Sequence, residues 1–252
     1  MRLKGKRALV TGAGSGFGEG IARRFAVEGA SVMIADINDG AGESVVRAIK
    51  AEGGIADFVH ADVSLGNEVA AMIDATQSAF GDIDILINNA GRPQRNGPML
   101  GVDEATFDAI FAVNVKSIYL TAMHVVPIFR AIGGGVIINM ASTAALSPRP
   151  GLVWYNASKG AAASLTRAMA IELAADNIRV NELCPVAGDT PMLAEFLGGE
   201  VTNEMYAKFV STVPLGRLST PRDLANAALF LASDEAEFLT GVLLEVDGGR
   251  CI

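Results

Sequence analysis

The chain has 252 residues, half of them hydrophobic and 19% charged, with 20 Lys and Arg against 28 Asp and Glu for a net charge of −8. That length buries a core without staples, and the acidic balance excludes nucleic acid and anionic membrane as main partners, because both select basic patches. Cys184 and Cys251 form no CxxC pair, and His60 and His124 lack metal-ligand spacing, so neither a disulfide scaffold nor a metal-based mechanism is expected.

The stretch Met1–Lys6 enters a short apolar run without a cleavable signal. No stretch approaches the roughly 18 apolar residues of a membrane span, so a cytoplasmic location is expected. Strands are expected at Arg7–Thr11, Ser31–Asp36, Ala56–Ala61, Ile83–Asn88, Gly135–Met140, Ile178–Cys184 and Val242–Val246. Helical patterns fall at Gly18–Glu28, Gly40–Glu52, Ser64–Phe80, Phe107–Ile132 and Ser158–Ala175. Strand and helix in alternation, with nearly continuous apolar strands, predict an α/β fold: a doubly wound parallel sheet of about seven strands covered on both faces. No linker or repeat divides residues 1–252, so one domain is expected. Residues 189–214 lack a strand signal and carry Gly198-Gly199. A long insertion of this kind is a substrate lid or a plain surface excursion.

Thr11-Gly12-Ala13-Gly14-Ser15-Gly16-Phe17-Gly18 follows the first strand and opens the first helix. Glycines there permit a tight turn and let backbone N–H groups approach a pyrophosphate, although a glycine-rich turn by itself is as readily structural. Asp36 ends the second strand, where a carboxylate accepts hydrogen bonds from the adenosine ribose and repels a 2′-phosphate. Neither Ser15 nor Ile37 is basic, which favours NAD over NADP; otherwise Asp36 would start a turn or cap the next helix.

Tyr155 and Lys159 stand four apart and share a helix face. A tyrosine of pKa near ~10 is a poor base at neutral pH, and a nearby ammonium favours its phenolate. Alone, this YxxxK spacing is common and mostly structural. Ser142 follows the apolar run Val136–Met140, at a strand's C-terminal end, where open α/β sheets bind ligands. With Thr143 it would equally cap a turn.

Together these motifs resemble the short-chain dehydrogenase/reductase family over nearly the whole chain. Its glycine turn matches Thr11 to Gly18, its adenine contact Asp62-Val63, and its NNAG Asn88-Asn89-Ala90-Gly91. The active-site asparagine matches Asn114, the serine Ser142, and the YxxxK Tyr155 and Lys159. Thr240-Gly241 and Val246-Asp247-Gly248-Gly249 match the closing pattern. One stretch departs: Pro-Gly-x-Ile/Val-x-Thr is usual after the sixth strand, and here it reads Pro185-Val186-Ala187-Gly188-Asp189-Thr190.

The resemblance implies a Rossmann fold and hydride transfer between NAD(H) and a secondary alcohol or ketone. Tyr155 would exchange the substrate proton, Ser142 would hydrogen-bond the reacting oxygen, and Lys159 would lower the tyrosine pKa and bind the nicotinamide ribose. Asn114 would help hold a water behind Lys159. Cofactor contacts would come from Gly12, Ser15, Gly16, Phe17, Gly18, Asp36, Ile37, Asp62, Val63, Asn89, Ala90, Gly91, Pro185, Gly188 and Thr190, besides Tyr155 and Lys159. A homotetramer through the apolar helices around Phe107–Ile132 and Ser158–Leu173 is a family expectation. The alternative, a non-catalytic NAD-binding regulatory or scaffold protein, has no need of the proton-transfer group.

For the substrate, Arg92, Arg95 and Arg149 border the catalytic pocket in this fold and suit a carboxylate, phosphate or sulfonate; otherwise they face solvent or pair with carboxylates. Trp154, Met192, Phe196, Leu197 and Met205 would line an apolar wall or simply pack.

Overall fold

The computed structural model describes residues 1–197 and 202–252, the side chain of Leu197 excepted. Gly198 and Gly199 of the insertion lie outside the described residues. Seven strands, β1 (Arg7–Thr11), β2 (Ser31–Asp36), β3 (Ile55–His60), β4 (Ile85–Asn88), β5 (Gly135–Met140), β6 (Ile178–Pro185) and β7 (Leu243–Val246), form one sheet in the order β3-β2-β1-β4-β5-β6-β7. Every pairing is parallel. The helices in chain order are α1 (Gly16–Val27), α2 (Asp39–Ala51), α3 (Gly66–Phe80), α4 (Glu104–Phe111), α5 (Ser117–Ile132), α6 (Val153–Leu173), α7 (Met192–Leu197), α8 (Asn203–Val210) and α9 (Pro221–Ala232).

The strands alternate their side chains between two cores, which is why they read as unbroken apolar runs. Val10, Ile34 and Ile87 point to the face covered by Ile21 and Phe25 of α1, Val45 and Ile49 of α2, and Leu224 and Leu231 of α9. Leu9, Leu86 and Ile137 point to the other face, under Met72 of α3, Val125 and Phe129 of α5, and Leu173 of α6. The strand order reverses between β1 and β4, and open α/β sheets bind ligands at the C-terminal ends of the strands flanking such a reversal.

Several boundaries differ from the sequence expectation. β4 starts at Ile85, not Ile83, because the Asp84 carboxylate accepts bonds from the backbone N–H and guanidinium of Arg7. The helix expected from Ser158 begins five residues earlier, at Val153. The stretch expected as one helix over Phe107–Ile132 begins at Glu104, capped by Asp103, and is interrupted by a π turn over Ala112–Lys116. By length and composition this 29-residue stretch is apolar enough to cross a membrane, contrary to the expectation that none would be, but its Val125 and Phe129 are seated under the sheet.

Candidate active site

A cleft of about 1000 Å³ opens along the C-terminal ends of the strands, from Asp36 past the glycine turn to Tyr155 and Phe209. Gly12 and Gly16 take positive φ, 60° and 57°, which L side chains rarely adopt. A Cβ on Gly12 would stand 2.8 Å from the Ala90 Cα, and one on Gly18 would stand 2.2 Å from the Gly12 carbonyl oxygen. The Asn89 side-chain amide donates to the carbonyls of Thr11 and Gly12, both at 2.9 Å, so the segment after β4 clamps the turn after β1. Ser15, at the N-cap of α1, makes no side-chain cap bond, which leaves first-turn N–H groups for an anion.

The Asp36 carboxylate accepts from the N–H groups of Gly14 (2.8 Å) and Asn38 (2.9 Å). Capping of α2 falls to Asn38, whose side chain accepts from the Ala41 N–H, so Asp36 is not the helix cap. Asp36, Ile37, Asp62 and Val63 line this end of the cleft. Every residue assigned to cofactor contact lines the cleft except Gly18, which packs behind the turn. Of the unusual Pro185–Thr190 stretch, all residues but Asp189 line the cleft. Gly188 pairs with Ser219 and touches Phe17 so closely that a Cβ would lie 2.2 Å from the ring.

At the other end, Tyr155 and Lys159 are buried on one face of α6. The Lys159 ammonium donates to the Met140 carbonyl at 2.8 Å and sits 5.8 Å from the centre of the Tyr155 ring. Burial pushes the Tyr155 phenol up to about 12, against the opposing pull of Ser142 and Arg149. Burial likewise brings Lys159 down to about 8, with Glu182 and Cys184 acting the other way. In the chain alone, burial therefore outweighs the expected help of the ammonium, and Ser142 and Arg149 are the groups that favour the phenolate.

The Ser142 hydroxyl caps its turn by accepting from the Ala144 N–H at 3.1 Å, and it neighbours the phenol. Asn114 sits in the π turn behind the cleft wall. Its amide accepts from the Arg92 N–H and donates to the Arg92 carbonyl and the Ser158 hydroxyl, tying the segment after β4 to α6. Single-turn π insertions of this kind recur at functional sites.

Several substrate expectations change. Arg92 and Arg149 line the cleft, but Arg95 is exposed and does not. Trp154 turns away, because its indole N–H donates to the Met99 carbonyl at 3.2 Å and Phe107 meets its ring edge-on. Met192, Phe196 and Met205 line the wall, and Phe196 stands edge-on to Tyr155 with ring centres 5.0 Å apart. The insertion thus supplies one side of the cleft through α7 and α8.

Two residues escaped the sequence reading. Gln94 is buried, and its side-chain oxygen Oε1 accepts from the N–H groups of Trp154 and Tyr155, capping α6 from a distant loop. Nothing near Leu152 announces that cap, which explains the late start expected for the helix. Gln94→Ala is expected to lower the unfolding free energy by about 1 kcal/mol in urea titrations, the typical cost of a lost cap, and to speed hydrogen exchange at the Tyr155 amide. Glu182 is the other, and a carboxylate inside an apolar strand was itself the available signal. It is fully buried, accepting from Thr166 at 3.0 Å, at the end of a chain that runs from Asn88 through Asn139 to Thr166. Outside the cleft, Glu245, Asp247 and Cys251 bring ligand atoms within 4.8 Å of one another, but Asp247 already accepts from the N–H groups of Gly249 and Cys251.

A family model described as enoyl-(acyl carrier protein) reductase matches residues 12–250. The chain is 49% identical over its whole length, and that of its relative, to 4-formylbenzenesulfonate dehydrogenase of Comamonas testosteroni. It is 40% identical to 7alpha-hydroxysteroid dehydrogenase of Escherichia coli K12, covering 99% of this chain and 95% of that protein. Among solved structures, 3-ketoacyl-(acyl-carrier-protein) reductase of Brucella melitensis complexed with NADH superposes with a TM-score of 0.93 at 48% identity, covering 99% of this chain and all of that one.

Proposed function

The chain belongs to the short-chain dehydrogenase/reductase family, and from that premise we propose that it moves a hydride between NAD(H) and a secondary alcohol or ketone, with Tyr155 handling the proton. The observation that carries this reading is one continuous cleft. It joins a glycine turn built for close backbone approach to a buried tyrosine and lysine and a half-buried serine at the ends of β5 and α6.

The residues present fit the dinucleotide. Gly12 and Gly16 place no side chain at their own positions in the turn, and the open N-terminus of α1 suits a pyrophosphate. Asp36 and Asp62, with no basic residue beside them in the lining, favour a ribose hydroxyl over a 2′-phosphate. When bound, the nicotinamide supplies or accepts the hydride. The chain's own work is to hold and move a proton. In the reducing direction the Tyr155 hydroxyl, whose pKa burial has raised, is the proton donor. In the oxidising direction Ser142 and Arg149 are the groups that favour the phenolate, with the Lys159 ammonium beside the ring. Ser142 orients the substrate oxygen by a hydrogen bond.

The test follows nicotinamide absorbance with NAD and NADP in parallel against polyols, hydroxy acids, hydroxysteroids and sulfonated aryl aldehydes, the last two suggested by the relatives' names. Turnover with NAD is expected, and silence across the panel sinks the reading. Asp36→Ala is expected to narrow the NAD preference by on the order of tenfold or more, since like-charge juxtaposition costs several kcal/mol and about 1.4 kcal/mol is tenfold. A native protein equally active with NADP would overturn the cofactor assignment.

A further inference from the structure

Resting on that reading of the cleft, we propose that the substrate carries an oxyanion, a carboxylate or sulfonate, seated between Arg149 and Arg250 beside Tyr155. The two arginines arrive from separate segments, Arg149 from the loop between β5 and α6 and Arg250 from the tail after β7, and both line the cleft. Buried guanidinium nitrogens are left without a partner on each: Nη2 of Arg149 and Nε of Arg250. A cationic donor buried without an acceptor is costly, so such an arrangement calls for an anion from outside.

The charges around them support the same conclusion. Among the described residues neither arginine is in an ion pair. They are close enough to repel: after burial, Arg250 is the main influence that lowers the Arg149 pKa. Arg149 is held in place, its guanidinium 5.1 Å from the centre of the Phe209 ring and its carbonyl accepting from the Asn156 amide at 2.8 Å. It is also near enough to Tyr155 to favour the phenolate. The group that Arg149 and Arg250 bind therefore belongs to the molecule whose reacting oxygen meets Tyr155. The cofactor's phosphates do not compete for this place, because the glycine turn that suits them follows β1, whereas Arg149 lies beyond β5. Exposed Lys208 and Arg92 add positive charge to the lining, and exposed Glu195 is the acid on the α7 wall.

The experiment titrates benzoate, benzenesulfonate and neutral benzamide into the NADH-bound protein by calorimetry, which needs no turnover. Both anions are expected to bind at least about tenfold more tightly than benzamide, and Arg149→Gln and Arg250→Gln each to remove about tenfold or more of that preference, as the loss of one charge-assisted hydrogen bond predicts. NADH affinity in each variant reports whether the fold survives, and the two substitutions lie on different segments, so a fold defect in one leaves the other decisive. If NADH binds but the anions bind no better than benzamide, the oxyanion site is wrong and the cofactor reading stands. If NADH itself fails to bind, the reading underneath fails and takes the site with it.

Discussion

Tyr155→Phe is expected to lower kcat by about 10³-fold, inside the range of roughly 10²–10⁴ that a positioned acid–base group contributes, while NADH affinity stays as it is. The substitution removes one hydroxyl and little else. The ring keeps its edge-on contact with Phe196, and Lys159 keeps its bond to the Met140 carbonyl. Ser142 still caps its turn through Ala144. Cofactor binding and stability therefore separate cleanly from proton transfer. Single-turnover rates and NADH titrations on the same preparation check both halves, and a variant retaining more than about a tenth of native kcat would show that Tyr155 does not carry the proton.

The second large effect concerns stability. Burial pushes the Glu182 carboxyl from 4.5 up to about 7, although Thr166, Cys184, Lys159 and Arg167 all favour its ionised form. Because the folded pKa lies above the unfolded one, the contribution of this group is complete below about pH 4.5 and is lost as pH rises toward 7. In that window the unfolded chain releases a proton that the folded chain still holds. At roughly 1.4 kcal/mol per pKa unit, the penalty at pH 8 is about 3 kcal/mol. Glu182→Gln is expected to stabilise the protein by about 2 kcal/mol at pH 8, somewhat less than the full penalty because the attraction to Lys159 is lost too, and the gain should vanish near pH 5. Urea unfolding at three pH values measures it. A difference between the two proteins that does not change with pH would refute the argument.

Much of this architecture was legible in the sequence because local patterns carried it. Each strand is a short apolar run, and most run limits fall within a residue of the observed strands. The glycine turn, Asp36 and the pairing of Tyr155 with Lys159 were readable for the same reason, since a turn and a helix face are set by near neighbours. What stayed hidden depends on partners distant in sequence. The start of α6 is fixed by Gln94, and that of β4 by a bond between Asp84 and Arg7. Trp154 turns from the cleft because the Met99 carbonyl and Phe107 lie on its other side. Arg250 gave no local sign of meeting Arg149, because only the return of β7 beside β6 brings the two together.

The seam between β1 and β4 also bears on the order in which the molecule assembles. The half-sheet β3-β2-β1 is contiguous in sequence and can form from the first strands alone, yet the cleft needs β4 to close the seam and Arg250 to complete its wall. The cover over α1 comes equally late, for α9 packs so close that a Cβ on Gly20 would lie 2.6 Å from Pro221. Before α9 docks, that surface of the early half stays bare to solvent. Contacts spanning nearly the whole chain slow folding and leave such intermediates prone to associate. Solubility and the binding site thus mature at the same late step.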